Sequence, residues 1–228
     1  MYHNELSLNA NDTVKLPYKK IGEYYIEDLG DIKTNLGYRI FKRLFDFLFS
    51  AMSLCLMILP MIVISVIIKC TSEGPILHKQ ERLGYNGKKF TIIKFRSMYV
   101  DAEKYGAQWS MGDNDDRITR FGHFLRKTRL DELPQFFSIL KNDMSLIGPR
   151  PEREVFYNEF ETYIHGFSER LKVKPGMTGL AQVYGGYDLK PEEKIIYDIE
   201  YIKKQSVMLD LKILFKTISV VITGSGAK

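Results

Sequence analysis

The apolar positions of this chain are concentrated in one run near its amino-terminal end. The run extends from Leu44 to Ile68, about 25 residues, and contains a single charged residue, Asp46. A straight helix of that length would measure about 37 Å, whereas the hydrocarbon core of a bilayer is roughly 30 Å thick. Pro60 divides the run, and an interior proline breaks or kinks a helix. The run predicts membrane attachment, either as one spanning helix or as a re-entrant hairpin broken at Pro60.

The charges that flank the apolar run bear on its orientation. Lys42 and Arg43 precede it and Lys69 follows it, so both ends are cationic. This symmetry gives no inside–outside bias and suits an arrangement in which both ends lie at one membrane face. Asp46 stands at helical spacing from Lys42 and Arg43, and we predict that it pairs with one of them at headgroup depth.

The rest of the chain alternates short periodic segments with polar loops. Residues 1–35 are polar and predict a loosely ordered extension. Asn86-Gly87 between two extended runs is a hairpin signal, and the second strand would carry Lys94 and Arg96. Apolar spacing also predicts helices at RFGHFLRK after Thr119, at 155–173, and within a basic segment, 197–222, that suits either the membrane interface or the domain core.

Composition narrows the class of protein. The 228 residues allow one domain with a core, and we predict an α-rich α/β fold divided into an extension (1–35), a membrane segment (36–70) and a main domain (71–228). A net charge of +5 suits an anionic membrane surface or a phosphorylated substrate, and no nucleic-acid-binding motif is present. The two cysteines, Cys55 and Cys70, predict neither a disulfide framework nor a zinc site, which favours a reducing compartment.

One polar stretch near the middle of the chain contains the residues with the most obvious chemistry. Asp131 and Glu132 begin a segment whose apolar spacing predicts a helix, with Pro134 in its first turn. As an N-cap, Asp131 would lose one amide donor to Pro134, which leaves its carboxylate freer to face outward. Arg126 before the pair and Arg150 after it suit attack on, or binding of, a metal-bound phosphate. A capped surface helix with solvated charges is the alternative that the local sequence leaves open.

The order of motifs along the chain resembles that of the bacterial sugar transferases, the monotopic phosphoglycosyl transferases. The matching blocks are FKRLFD (41–46), KFRSM (94–98), DDRITRFGHFLRKTRLDELPQ (115–135), NDMSLIGPRPE (142–152) and PGMTGLAQV (175–183). Each block is weak alone, whereas the ordered set is specific and covers residues from about 36 to 222. The glycine-rich last block fits neither a P-loop nor a dinucleotide fingerprint.

The resemblance implies a two-step phosphoryl transfer. Asp131 would attack the β-phosphorus of a nucleotide diphosphate sugar, and UMP would leave if the donor is a UDP-sugar. Polyprenyl (undecaprenyl) phosphate would then take the sugar-1-phosphate from the aspartyl intermediate, which would initiate a surface polysaccharide or glycan. Glu132 would help Asp131 bind Mg²⁺ or act as a base. The substrate-binding residues expected from the resemblance are Lys94, Arg96, Arg126, Arg150 and Gln182.

The resemblance also implies where the protein lies. It favours the re-entrant hairpin with Lys42, Arg43, Asp46 and Pro60, amphipathic helices at the interface, and a catalytic domain on the cytoplasmic face of the bacterial inner membrane. Membrane lipids, the UDP-sugar and the polyprenyl phosphate are the expected partners. Self-association and contacts with downstream glycosyltransferases are further expectations.

Two departures and two rival interpretations accompany the resemblance. Relatives often continue after AQV with a basic residue where this chain has Gly186, which leaves the donor preference open, and they commonly have Ser-Pro where this chain has Leu59-Pro60. A catalytically silent scaffold that binds lipid phosphate is one rival, and the intact Asp131-Glu132 pair speaks against it. A soluble phosphate-binding domain with a simple spanning anchor is the other.

Overall fold

Short strands and helices surround one long helix in this protein. The computed structural model describes residues 18–20, 22–104, 115–185 and 189–223. The strands are β1 (Tyr18–Lys20), β2 (Glu23–Tyr25), β3 (Leu77–Leu83), β4 (Lys89–Phe95), β5 (Ser145–Ile147), β6 (Ile164–His165) and β7 (Gly176–Thr178). The α-helices are α1 (Leu36–Thr71), α2 (Arg120–Lys127), α3 (Phe136–Leu140), α4 (Glu154–Glu161), α5 (Leu180–Tyr184), α6 (Pro191–Lys203) and α7 (Val207–Thr223), and 3₁₀ helices lie at Tyr85–Gly87, Leu130–Gln135 and Phe167–Lys172. The helix-rich α/β class predicted from the sequence is confirmed.

The apolar run forms the long helix α1, and Pro60 does not interrupt it. Proline 60 lies inside one helical segment of 36 residues, so the predicted division into two separate helices is not observed. Within the described part of the chain, α1 is the one helix that is long and apolar enough to cross a membrane. Its middle is exposed, with Leu56 and Leu59 retaining 66% and 70% of their accessible surface. This apolar surface has no protein cover among the described residues.

Both ends of α1 pack against the same domain. Near its start, Phe45 and Phe49 contact the main core, where the Phe49 and Phe136 rings are 6.2 Å apart. Near its end, Ile64 and Ile68 are buried in a second, smaller cluster that also contains Phe95 and Leu125. Of the side chains that the structure describes, one, Leu133, packs against both clusters.

The charged residues at the start of α1 pair across the fold rather than within the helix. Lys42 forms an ion pair with Asp210 of α7 at 2.8 Å. Arg43 donates to the carbonyl oxygens of Ile139 and Leu140, at the end of the short helix α3, where carbonyls lack partners within the helix. Asp46 is buried and accepts a hydrogen bond from the Leu146 amide at 3.0 Å. The predicted pairing of Asp46 with Lys42 or Arg43 is therefore wrong, because the packed domain offers each residue a closer partner.

The predicted hairpin is confirmed. Strands β3 and β4 pair antiparallel from Leu77 opposite Phe95 to Leu83 opposite Lys89. Asn86 and Gly87 adopt left-handed backbone conformations, with φ of 53° and 73°, as the Asn-Gly signal requires. This hairpin places Lys94 next to the 3₁₀ helix Leu130–Gln135.

A helical turn follows α2 and contains the carboxylate pair. The helix predicted at RFGHFLRK is confirmed as α2, and Thr119 caps it by accepting a hydrogen bond from the Gly122 amide at 2.9 Å. The chain then reverses at Arg129, whose φ is 60°, and enters the 3₁₀ helix Leu130–Gln135. Asp131 and Glu132 lie in the first turn of that helix, as predicted, and its N-cap position is Arg129 rather than Asp131. The helix α3 continues directly from it.

The second half of the domain is built around the parallel pair β5 and β7. The glycines at this pair serve close backbone approach: a Cβ on Gly176 would lie 2.0 Å from the Gly148 nitrogen. The helix predicted at 155–173 is wrong in length. It ends at Glu161 and is followed by strand β6; Gly166, with φ of 88°, then turns the chain from β6 into the 3₁₀ helix Phe167–Lys172.

The described part of the amino-terminal extension is packed, which corrects the expectation of loose order. Strand β2 pairs parallel with β6, with the Tyr24 amide donating to the Tyr163 carbonyl at 2.8 Å. The Leu29 amide donates to the Glu169 carboxylate at 2.7 Å. At the other end of the chain, α7 exposes the apolar side chains of Met208, Phe215, Ile218 and Val221.

Candidate active site

Asp131 and Glu132 lie on the 3₁₀ helix Leu130–Gln135, which packs against strand β4. Their exposed fractions are 7% and 5%, so both carboxylates are almost completely removed from solvent. The two side chains diverge because adjacent residues of a helix point in different directions. The surface-helix alternative is therefore wrong, since a solvated charge run would leave these carboxylates exposed.

The Glu132 carboxylate is clamped by two cations. Lys94 Nζ lies 2.7 Å from Oε1, and Arg150 Nη2 lies 2.5 Å from the same oxygen. Burial alone would raise the pKa of Glu132, but Arg150 and Lys94 outweigh it and hold the pKa well below its usual value. Glu132 is thus an anion with a fixed position.

The Asp131 carboxylate has a different environment. Among the described residues it accepts no hydrogen bond, and burial raises the pKa of Asp131 to about 6. Lys94, Arg126 and Arg150 lower that pKa, and the neighbouring Glu132 charge raises it. The two adjacent carboxylates therefore differ in pKa and in their contacts. Glu132 is held by two cations, whereas Asp131 is ionised near neutral pH and accepts no hydrogen bond from the described residues.

The loop that follows β5 holds Arg150 in place. Successive carbonyl oxygens along this loop each accept a hydrogen bond, and the donors come from β7, the 3₁₀ helix Phe167–Lys172 and the end of β3. The donors are Gly176 N to Pro149 O at 2.8 Å, Arg170 Nη2 to Arg150 O at 2.9 Å, Arg82 Nη1 to Pro151 O at 3.4 Å and Leu83 N to Glu152 O at 3.1 Å. The backbone of this loop is held by three elements, so the direction of the Arg150 side chain is set before any ligand binds.

Glu152 is a functional candidate that sequence reasoning missed. Its carboxylate pairs with Arg82 at 3.0 Å and with Lys194 at 3.2 Å, although it is only 7% exposed. Burial favours a raised pKa, yet Lys194 and Arg82 lower the pKa of Glu152 to about 2. Glu152 lies within the quoted block NDMSLIGPRPE, but its partners are 70 residues before it and 42 after it, so no local signal indicated the cluster.

The structure brings three of the predicted substrate-binding cations to the carboxylate pair. Lys94 and Arg150 contact Glu132 directly, and Arg126, whose Nε donates to Ser97 Oγ at 3.1 Å, lowers the pKa of Asp131. Arg96 is not among them. Its guanidinium is buried and donates to the backbone and side chain of Ser72, just after α1. Arg96 therefore fastens the end of the long helix, and its predicted substrate contact stays a prediction.

Gln182 lies beside the Arg150 loop. The carboxamide is next to Gly179, and Gly179 packs on Gly148 at the start of that loop. Both polar atoms of the Gln182 side chain are buried and have no hydrogen-bond partner within the described residues. Gly186, where the expected basic residue is replaced, lies outside the described residues.

The donor set around Asp131 fits Mg²⁺ chemically. Mg²⁺ is typically bound by one or two carboxylates together with water and substrate phosphates. Asp131 offers an unengaged carboxylate, and Glu132 Oε2 is less tightly held than Oε1, with Arg150 Nη1 at 3.5 Å. In the part of the chain that the structure describes, no group of three or more metal-binding side chains occurs. A complete coordination shell would therefore require ligands from the substrate or from water.

Comparison with known proteins gives the same family as the motifs. Residues 37–224 match the family described as "Bacterial sugar transferase". The chain is 42% identical over 212 residues to the UDP-N-acetylgalactosamine-undecaprenyl-phosphate N-acetylgalactosaminephosphotransferase of Aeromonas hydrophila, covering 92% of this chain and 50% of that protein. It is 44% identical over 184 residues to the UDP-glucose:undecaprenyl-phosphate glucose-1-phosphate transferase of Klebsiella pneumoniae, covering 78% of this chain and 39% of that protein. A putative undecaprenyl-phosphate N-acetylgalactosaminyl 1-phosphate transferase of Bacillus subtilis is 50% identical over 135 residues, 59% of this chain and 74% of that protein.

The extent of these matches decides what they establish. The chain spans half or less of the length of the first two of these relatives, so their activities belong to longer proteins. The family match, in contrast, covers most of this chain, including the carboxylate pair and the loop of Arg150. The chain belongs to the bacterial sugar transferase family.

Proposed function

We propose that this chain transfers a sugar-1-phosphate from a UDP-sugar to undecaprenyl phosphate. The relatives named above carry names of this reaction class, but their donors differ in the sugar. The observation that carries the proposal is the contrast within the carboxylate pair: Glu132 is clamped by Lys94 and Arg150, whereas Asp131 is buried and accepts no hydrogen bond from the described residues. A phosphate-binding scaffold has no need of such a carboxylate, but a nucleophile does.

The proposed chemistry has two displacements at one phosphorus atom. An oxygen of Asp131 attacks the β-phosphorus of the donor, the bond from that phosphorus to the bridging oxygen breaks, and UMP leaves with the bonding electrons. An oxygen of undecaprenyl phosphate then attacks the same phosphorus, and the aspartyl bond breaks to regenerate the carboxylate. Lys94, Arg126 and Arg150 balance the phosphate charge, and the fixed Glu132 keeps two of these cations in place.

Asp131 and Glu132 would hold Mg²⁺ together with the phosphate oxygens of the donor, and the ion would offset the negative charge of the diphosphate. Gln182 would contribute an amide donor and acceptor next to the Arg150 loop. Its two buried polar atoms without partners support this role, because a buried carboxamide is normally hydrogen-bonded.

An adduct assay tests the nucleophile. The protein in nanodiscs with Mg²⁺ is incubated with a panel of UDP-sugars and analysed by intact mass and by peptide mapping. We expect a sugar-phosphate on Asp131 with one or more donors, its release by undecaprenyl phosphate, and no adduct in Asp131→Asn. Asp28→Asn is the matched control, because Asp28 is 82% exposed on the amino-terminal segment. Folded wild-type protein that forms no adduct with any donor would instead favour the scaffold alternative.

We propose further that α1 enters and leaves the same leaflet, with the domain on the cytoplasmic face. Three observations support this arrangement. Both ends of α1 pack on one domain, the middle of the helix is apolar and exposed, and Pro60 lies within that exposed part. A proline inside a helix removes one backbone hydrogen bond and allows a bend.

The cysteines of the chain allow a direct test of this topology. Cys55 lies in the middle of α1 and Cys70 at its end, and both are exposed in the fold. A cysteine introduced by Lys33→Cys marks the other end. In sealed inverted vesicles, a membrane-impermeant maleimide should label positions 33 and 70 but not Cys55, which lipid would cover. Labelling of 33 and 70 from opposite faces would establish a spanning helix and exclude the re-entrant one.

A further inference from the structure

A buried ion pair lies directly behind the loop of Arg150. Arg170, in the 3₁₀ helix Phe167–Lys172, contacts Asp198 of α6 through Nη2 at 2.6 Å, and the side chains are 0% and 1% exposed. The same nitrogen donates to the carbonyl oxygen of Arg150 at 2.9 Å. Arg150 in turn contacts Glu132. An uninterrupted series of contacts therefore connects Asp198 with the carboxylate pair.

This pair is poorly suited to stabilising a core. Nε and Nη1 of Arg170 are buried without a hydrogen-bond partner among the described residues, and the guanidinium lies over the Phe167 ring, 4.9 Å from its centroid. Buried donors without partners reduce stability, and apolar residues of similar volume often replace a buried ion pair without loss. An apolar pair would, however, offer no donor to the carbonyl of Arg150.

The position of that carbonyl determines where the Arg150 side chain points. Arg150 lies between Pro149 and Pro151, and a residue before proline is restricted to extended conformations. Within this extended range, the peptide plane that contains the Arg150 carbonyl can still rotate. The hydrogen bond from Arg170 fixes this rotation, because Asp198 holds the donating nitrogen in one place.

We infer that Arg170, held by Asp198, is a positioning residue of the transfer reaction and acts through Arg150. The inference rests on the proposed function only where it predicts a slower rate of adduct formation. Its structural content is that the Arg150 guanidinium keeps its place on Glu132 because the Arg170 donor holds the Arg150 carbonyl.

The first test replaces the ion pair by apolar residues of similar volume. In Arg170→Met/Asp198→Leu no buried charge is left unpaired, so we expect a folded protein with a melting temperature close to that of wild type. Adduct formation at saturating UDP-sugar should nevertheless slow about 10- to 100-fold, the scale for misplacing a catalytic group by about 1 Å. A rate within about twofold of wild type in the folded double variant would overturn the inference.

The second test separates positioning from packing and does not depend on the double variant. In Arg170→Lys, an ammonium can still pair with Asp198, but the lysine side chain is shorter than arginine, so its nitrogen does not reach both Asp198 and the Arg150 carbonyl as Nη2 does. We expect an approximately tenfold slower adduct formation in the wild-type background and less than about twofold in an Arg150→Lys background, where the positioned guanidinium is already gone. Equal slowing in both backgrounds would contradict action through Arg150.

The third test needs no activity. Nitrogen-15 labelled arginine gives resolved guanidinium signals when a side chain is held in an ion pair, and the Arg150 signals are identified by their loss in Arg150→Lys. We expect these signals to average out in Arg170→Met/Asp198→Leu. If wild-type protein forms no adduct, the proposed function fails, whereas unchanged Arg150 signals in the double variant refute the role of Arg170 in either case.

Discussion

The two neighbouring carboxylates should contribute to stability with opposite signs. Replacing Asp131 by asparagine removes a group that the fold prefers in its protonated form, because burial raises the pKa of Asp131 from 3.8 to about 6. A raised pKa means that the folded state opposes ionisation. Wild-type protein should thus lose stability as the pH rises from about 4 through 6, and Asp131→Asn should not.

The magnitude follows from the size of the shift. About two pKa units at 1.36 kcal/mol each give roughly 3 kcal/mol, and the residue is buried enough that solvent screening does not remove it. For a chain of this size, 3 kcal/mol corresponds to an increase of about 6–12 °C in melting temperature. The increase should be complete above pH 7 and close to zero at pH 4.

The assay is thermal unfolding of both proteins in the same nanodiscs at pH 4.5, 6 and 8. Glu132→Gln is the matched control, because the cations around Glu132 lower its pKa and would be left unpaired at neutral pH. That variant should melt lower than wild type at pH 8, consistent with a loss of about 3–5 kcal/mol when one partner of a buried ion pair is removed. An Asp131→Asn protein that melts at or below the wild-type temperature at pH 8, or that shows the same difference at pH 4.5, would refute the reasoning.

Further expectations concern the glycine contact, the helix anchor and the pH dependence. Gly176→Ala should abolish adduct formation and lower the melting temperature, because its Cβ would lie 2.0 Å from the Gly148 nitrogen and prevent correct packing of the Arg150 loop. Gly87→Ala is the control: its Cβ would have no atom within 4 Å, so it should cost only about 1 kcal/mol for the left-handed backbone. Equal effects of the two substitutions would contradict the packing explanation. Lys42→Met should destabilise by about 2 kcal/mol, since it leaves a mostly buried Asp210 without its cation, and an unchanged melting temperature would show that the pair does not hold α1. The rate of adduct formation should fall about tenfold per pH unit below 6, as the nucleophile protonates, and a flat profile between pH 5 and 7 would exclude it.

Local signals predicted local structure well in this chain. The turn at Asn86-Gly87 and the helix RFGHFLRK depend on residues within a few positions of each other, and both occur as predicted. The helix predicted at 155–173 ends at Glu161 although the apolar spacing continues, and the backbone at Gly166 is left-handed. A glycine inside a periodic segment was the available warning.

Long-range partners account for the remaining errors. Asp46 was assigned a neighbour in its own helix but instead contacts an amide 100 residues away. Arg96 has a role that the sequence did not indicate, since it holds the end of α1 at Ser72, 24 residues before it. The candidate site itself was predictable as a set of residues, because Asp131 and Glu132 stand between cations in the sequence. The clamp on only one of them was not, because it depends on Lys94 from a separate strand.

The position of Leu133 connects the long apolar helix with the carboxylate pair. This side chain follows Glu132 directly and touches the packing clusters at both ends of the long helix. In the proposed re-entrant arrangement, a lipid environment that changes a bend of the long helix at Pro60 would shift Leu133, and the adjacent carboxylate with it. The rate of the proposed transfer should accordingly depend on acyl-chain length, with an optimum at one bilayer thickness.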